Sequence, residues 1–177
     1  MTRELLEPAL VEEATKKSGL IWVEAAGGRS TRPLWHVWHE GAACLVGDGP
    51  GEQPLPGLAD GTTAEVTVRS KDKGGRLVTW TARVAQLDPG TEAWEAAVAD
   101  LKGKRLNAPD GEAMTARWAR ECRVIRLEPT GVTSPLPDGD LAAPPAPSPA
   151  TTRQPVPAGL PRLLLKKRGK RGKGTRA

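Results

Sequence analysis

Both histidines of the chain, His36 and His39, and two of its six tryptophans, Trp35 and Trp38, fall between Arg32 and Gly41. An imidazole can move a proton near neutral pH, and an indole offers a flat face to a planar ligand. On an extended segment successive side chains point to opposite faces, so Trp35, Val37 and His39 share one side and Leu34, His36 and Trp38 the other. Neither side is purely polar, which predicts cover on both: a core on one, a partner subunit or ligand on the other. A histidine pair three residues apart on a strand diverges, and no Cys or carboxylate stands at zinc-ligand spacing, so no metal site is expected. Cys44 and Cys122 lie in apolar contexts where a free thiol acts as a small hydrophobe and not as a nucleophile. His36 is left as the local proton donor, and no catalytic residue is assigned.

The elements that must position this segment follow from periodicity and turn residues. A helix is expected from about Glu4 to Lys17, capped by Thr2, with Leu5, Leu6, Ala9, Leu10 and Ala14 recurring at helical spacing. Leu20–Glu24 reads as a buried strand and Ala26–Ser30 as a turn. The Trp/His segment then returns as a second strand, and Ala42–Gly47 follows Glu40-Gly41 as a third. Asp48–Leu58 is too rich in Gly and Pro for helix or sheet, and it lacks the GxxxxGK[ST] pattern of a phosphate-binding loop. Ala64–Ser70 and Arg76–Ala85 alternate with period two around a turn at Asp72–Gly75. Thr91 caps a helix carrying Trp94, Ala97, Val98 and Leu101, and Asp110 caps a shorter one with Met114, Arg117 and Trp118. In Cys122–Leu127 the offset of Ile125 predicts a bulge or two-sided burial. The fold class is therefore α+β, mainly β: a six-stranded antiparallel barrel with flanking helices, from Met1 to Val132.

From Thr133 to Ala177 the chain is Pro- and Ala-rich without periodicity, and it is expected to be disordered. The net charge of +5 divides into −2 over residues 1–132 and +7 over residues 133–177. The basic run Lys166–Arg176 could therefore hold nucleic acid only weakly and in a salt-dependent way, or serve solubility alone. There is no Phe and no Tyr, so every large aromatic contact falls to Trp. Two cysteines are too few for a disulfide framework, and no apolar run reads as a leader or membrane span. A cytoplasmic setting is expected.

The Gly27-Gly28-Arg29 turn, the Arg32-Pro33-Leu34-Trp35-His36-Val37-Trp38 strand, Glu40-Gly41 and the Val46-Gly47 strand end together resemble the pyridoxamine 5′-phosphate oxidase-like, FMN-binding split-barrel family. The resemblance spans roughly the first three quarters of the chain. It implies a cytoplasmic homodimer with a split barrel, holding FMN or a deazaflavin in a groove between subunits, and a redox step on a small molecule. The residues it points to as cofactor-binding are Arg32, Leu34, Trp35, His36, Gly47, Gln53, Arg69 and Lys71. The chain departs from the family pattern after the third strand, where a cation for the cofactor phosphate is usual. Glu52 has the opposite charge, and Gln53 offers hydrogen bonds but no charge. Compensating cations are expected from Arg32 or from Arg69, Lys71, Lys73 and Arg76. The alternative is a cofactor-free split barrel that acts as a binding or scaffold module, its basic tail contacting nucleic acid.

Overall fold

In the computed structural model the alternating segments pair into one antiparallel sheet, ordered β2-β1-β5-β6-β7-β4-β3. The strands are β1 (Leu20–Ala25), β2 (Arg32–Trp35), β3 (Val37–His39), β4 (Ala42–Gly47), β5 (Thr63–Arg69), β6 (Arg76–Leu87) and β7 (Arg123–Ser134). The structure describes residues 3–28, 30–106 and 110–134, with side chains from Glu7 onward. Thr133 and Ser134 extend β7, opposite Trp80 and Thr79. The rest of the segment expected to be disordered, with its basic run, lies outside the described residues.

Seven strands replace the six expected, and His36 is the reason. The Trp/His segment does not run as one strand: β2 pairs with β1, β3 pairs with β4, and the two pieces form opposite edges of the sheet. One residue joins those edges, so the sheet must curl until they meet. The alternation expected across the segment nevertheless holds. Leu34 and Trp38 pack with the interior of the curled sheet, while Val37 and half-buried Trp35 pack on its outer side.

Period-two burial builds that interior. Ala64, Val66 and Val68 of β5 face Val78, Trp80, Ala82 and Val84 of β6, joined by Ile21, Val23, Leu45, Ile125 and Leu127. Leu55 and Leu58 of the Gly/Pro loop fill one side of it. Helix α1 (Arg3–Lys17) packs against it through Val11 and Thr15, both buried. The expected stripe is rotated by about one residue: Ala9 is exposed and Leu10 is 49% exposed. The docked face is the one from which the Thr15 carbonyl meets His36, a contact that spacing alone does not reveal.

A second core covers the outer side of β3, β4 and β7. Helices α2 (Glu92–Lys104) and α3 (Met114–Glu121) bring Trp94, Ala97, Val98, Leu101, Met114 and Trp118 onto Val37, Cys44, Val46 and Val124. The far face of the Trp/His segment is thus covered largely by the chain's own helices. Thr91 caps α2 by accepting from the Trp94 N–H at 3.3 Å. Asp110 does not cap α3, which follows a single 3-10 turn at Gly111–Ala113; its carboxylate is bonded to Arg117 instead. Strand β7 shows the two-sided burial expected, with Val124 in the helix core and Ile125 and Leu127 in the barrel. Among the described residues no helix is long and apolar enough to cross a membrane.

Candidate functional site

Where β2 leaves the sheet, its last residue needs substitute backbone partners, because buried N–H and C=O groups left unpaired are costly. Gln53 supplies them. Its Oε1 accepts from the Trp35 N–H at 2.9 Å, and its Nε2 donates to the Trp35 carbonyl at 2.9 Å and to the Val46 carbonyl at 3.3 Å. The carboxamide thus stands in for a peptide group between the ends of β2 and β4. Gly47 makes this approach possible: a Cβ there would collide with the Gln53 carbonyl and come within 2.6 Å of Leu55 Cγ. Asp48, at φ 62°, turns the chain, and its side chain accepts from the Leu55 N–H at 2.7 Å.

Glu52, beside Gln53, does not face solvent or a groove. Its side chain is 0% exposed and accepts from Arg105 Nε at 3.1 Å, Arg117 Nη2 at 3.0 Å and Trp118 Nε1 at 3.0 Å. Arg117 also donates to Asp110 at 2.6 Å. Two guanidinium groups therefore share two carboxylates, and the arrangement ties the Gly/Pro loop to the end of α2 and to α3. Hydrogen bonding to Asp110, then to Glu52, raises the Arg117 pKa, and the same contact lowers that of Asp110. The repulsion for phosphate expected of Glu52 is cancelled within the protein.

In front of Trp35 lies an open cavity of about 530 Å³, lined by Ser18, Gly19, Trp35, His36, Gly103, Lys104, Arg105 and Leu106. The guanidinium carbon of Arg105 sits 5.9 Å from the centre of the Trp35 ring. His36 is only 4% exposed, and its Nε2 lies 2.9 Å from the Thr15 carbonyl. A carbonyl can only accept, so Nε2 carries the proton and donates. Nδ1 is enclosed and has no partner among the described residues. Burial, opposed by the Thr15 bond and aided by Lys104, pushes the imidazole pKa down to about 4. His36 is therefore a neutral ring at ordinary pH. His39, across the segment, bonds Asp100 at 2.8 Å through Nδ1 and takes no part in this groove.

Of the residues singled out from the sequence, the structure brings Trp35, His36, Gln53 and Gly47 together, the last two as the support behind Trp35. Arg32 and Leu34 line a different cavity of about 320 Å³ beneath the β1–β2 turn, with Gly27, Gly28 and Ser30. Arg69 stacks over Trp22 at 4.6 Å, and Lys71 is exposed in the β5–β6 turn; neither lines the groove. Lys104 and Arg105 had no sequence signal beyond cations following Gly103 at a helix end. The signal for the Glu52 assembly was a lone carboxylate in a Gly/Pro loop, which charge alone reads as exposed. No group of three or more metal-ligating side chains occurs among the described residues.

A sheet whose two edges are halves of one segment, with helices packed outside, is a split-barrel fold, the class implied by the sequence resemblance. No family model and no curated protein matches the chain. Among solved structures it is similar to HutZ, described as the heme storage protein of Vibrio cholerae. That likeness has 15% identity and a TM-score of 0.51, and covers 73% of this chain and 93% of that one. A putative general stress protein 26 from Jannaschia sp. CCS1 has 12% identity, 72% and 75% coverage and a TM-score of 0.47. An F420 reductase has 16% identity, 70% and 94% coverage and a TM-score of 0.42. At such identities the likeness to HutZ is one of fold.

Proposed function

We propose that the chain is a cofactor-binding split-barrel protein whose Trp35–His36 groove takes a flavin-type ring. The observation that carries this reading is the groove itself. A half-buried indole, with its backbone held by Gln53, stands beside a neutral buried imidazole in a cavity of about 530 Å³. That size lies within the usual range for ligands of this class, roughly 300–1,000 Å³. Trp35 and Leu106, beside the polar groups of Ser18, His36, Lys104 and Arg105, suit a flat heteroaromatic ring that also carries polar substituents. A bound flavin would supply hydride or electron transfer. The chain's own contribution is to stack the ring on Trp35, to keep water from His36 and to hold one imidazole proton on Nε2, away from the groove. That arrangement orients a ligand, and the imidazole itself offers no charged acid at ordinary pH. The reading carries with it a homodimer, which light scattering on the purified protein would test.

The absorbance spectrum of the protein as isolated tests the proposal. Flavin bands, or a rise in melting temperature on adding FMN, riboflavin or a deazaflavin, are expected. A Soret band would instead assign the groove to haem, the ligand named for HutZ. No cofactor band and no stabilisation by any flavin would leave a cofactor-free barrel.

A further inference from the structure

Resting on the flavin reading, we propose that Lys104, assisted by Arg105, is the anion anchor of the Trp35–His36 groove, so that the ring it holds carries a phosphate. A family cation after the third strand is missing here, and the substitutes expected from the sequence lie elsewhere. Arg32 lines the other cavity, Arg69 covers Trp22, and Lys71 projects from a turn. The cations that line the groove are Lys104 and Arg105, at the end of α2.

Their surroundings differ in a useful way. Arg105 gives Nε to Glu52, one Nη1 hydrogen to the Leu106 carbonyl and one Nη2 hydrogen to the Gly51 carbonyl. Among the described residues each terminal nitrogen keeps one N–H without a partner. Glu52 offsets its charge and fixes its direction. Lys104 has no ion-pair partner among the described residues, whereas Lys102, on the same last turn, pairs with Glu112 at 3.2 Å. Lys102 thus already complements the helix end, and Lys104 is left over the groove. Its charge reaches His36, where it opposes protonation. The other groups facing the groove are neutral: the His36 ring, and the Ser18 hydroxyl, which donates to the Leu20 carbonyl. Lys16 and Lys17, at the end of α1, pair with Glu12 and Glu13. The groove thus offers an aromatic wall with the Arg105 guanidinium over it, and an ammonium that has no ion-pair partner among the described residues. Charge-assisted bonds to a phosphate are about twice as strong as neutral ones.

FMN and riboflavin share the ring and differ at the phosphate, so their affinities separate the two ideas. Flavin and tryptophan fluorescence titrations at low salt would be run on the full chain, on Lys104→Met and on Lys104→Arg. Lys104 is exposed, so neither variant disturbs a core. The expected result is FMN binding the wild type about tenfold or more tightly than riboflavin. The preference should collapse in Lys104→Met with riboflavin unaffected, and persist in Lys104→Arg. Equal affinity for both flavins in the wild type, or a preference that survives in Lys104→Met, overturns the anchor and leaves the flavin reading standing. Binding of neither flavin overturns both.

Discussion

His36 shows how one side chain links the groove to stability. An unfolded histidine titrates near 6.5, and the buried ring at about 4. Between those values the unfolded chain holds the extra proton, so stability is full above the upper value and falls as pH drops toward the lower one. The loss amounts to about 3 kcal/mol in total. Carboxylates contribute to acid unfolding as well, so the informative quantity is the difference between the wild type and His36→Gln, which cannot charge. Urea unfolding at a series of pH values should show the wild type losing more stability than the variant between about pH 6.5 and about pH 4. Parallel curves would mean that the ring is not held neutral. The thiols provide a second test at this scale. Burial pushes Cys44 up to about 12 and, to a lesser depth, also raises Cys122. Since the thiolate is the reactive form, Cys44 should resist Ellman's reagent in the native protein and react on unfolding, with Cys122 the faster of the two.

At the scale of elements, the loop between β4 and β5 does what neither helix nor strand does here: it joins the barrel to the helices. Glu52 is the pin, a fully enclosed carboxylate held by three donors from α3 and the end of α2. Removing one partner of such a pair strands the other charges, so Glu52→Ala should cost about 3–5 kcal/mol. Glu52→Gln, which keeps the shape and one acceptor, should cost less, and both should loosen Arg105 from Trp35. Chemical denaturation measures the first effect and tryptophan fluorescence the second; a change under 1 kcal/mol for Glu52→Ala, within the range of an exposed pair, would contradict the account. This loop also marks where the sequence stopped being legible. Apolar runs bounded by turn residues identify β1 and β4, alternation identifies β5 and β6, and the Thr91 cap places α2, because those signals are local. The break at His36 is not local. It arises because β2 and β3 pair with strands at opposite ends of the sheet order, which no window of neighbouring residues encodes. By charge Glu52 reads as opposed to a phosphate and Gln53 as an uncharged cofactor contact, whereas their roles come from donors 18 and 53 or more positions away. Trp35 and His36 stood out by type and proximity; Lys104 and Arg105 join them only once α2 is packed.

For the whole molecule, the arrangement of the two cores decides whether barrel and helices melt separately. Strand β4 is buried along its full length and alternates between them, Ala43 and Leu45 entering the barrel and Cys44 and Val46 the helix core. Strand β7 does the same with Ile125 and Val124. Neither core can be lost without stripping one face of strands that hold the other, so unfolding should be cooperative. The tryptophans allow this to be followed in both places: Trp38 and Trp80 meet edge to face at 6.4 Å in the barrel, and Trp94 and Trp118 lie in the helix core. Leu45→Ala in the barrel and Leu101→Ala in the helix core should each cost about 2–5 kcal/mol. Each should also shift the far-ultraviolet circular dichroism and tryptophan fluorescence transitions together, with an unchanged denaturant slope. If Leu101→Ala split the two probes, so that the sheet signal outlasted the fluorescence change, the helices would be an appendage on an independent barrel. The groove, which needs Trp35 from the one and Lys104 from the other, would then open before the barrel unfolds.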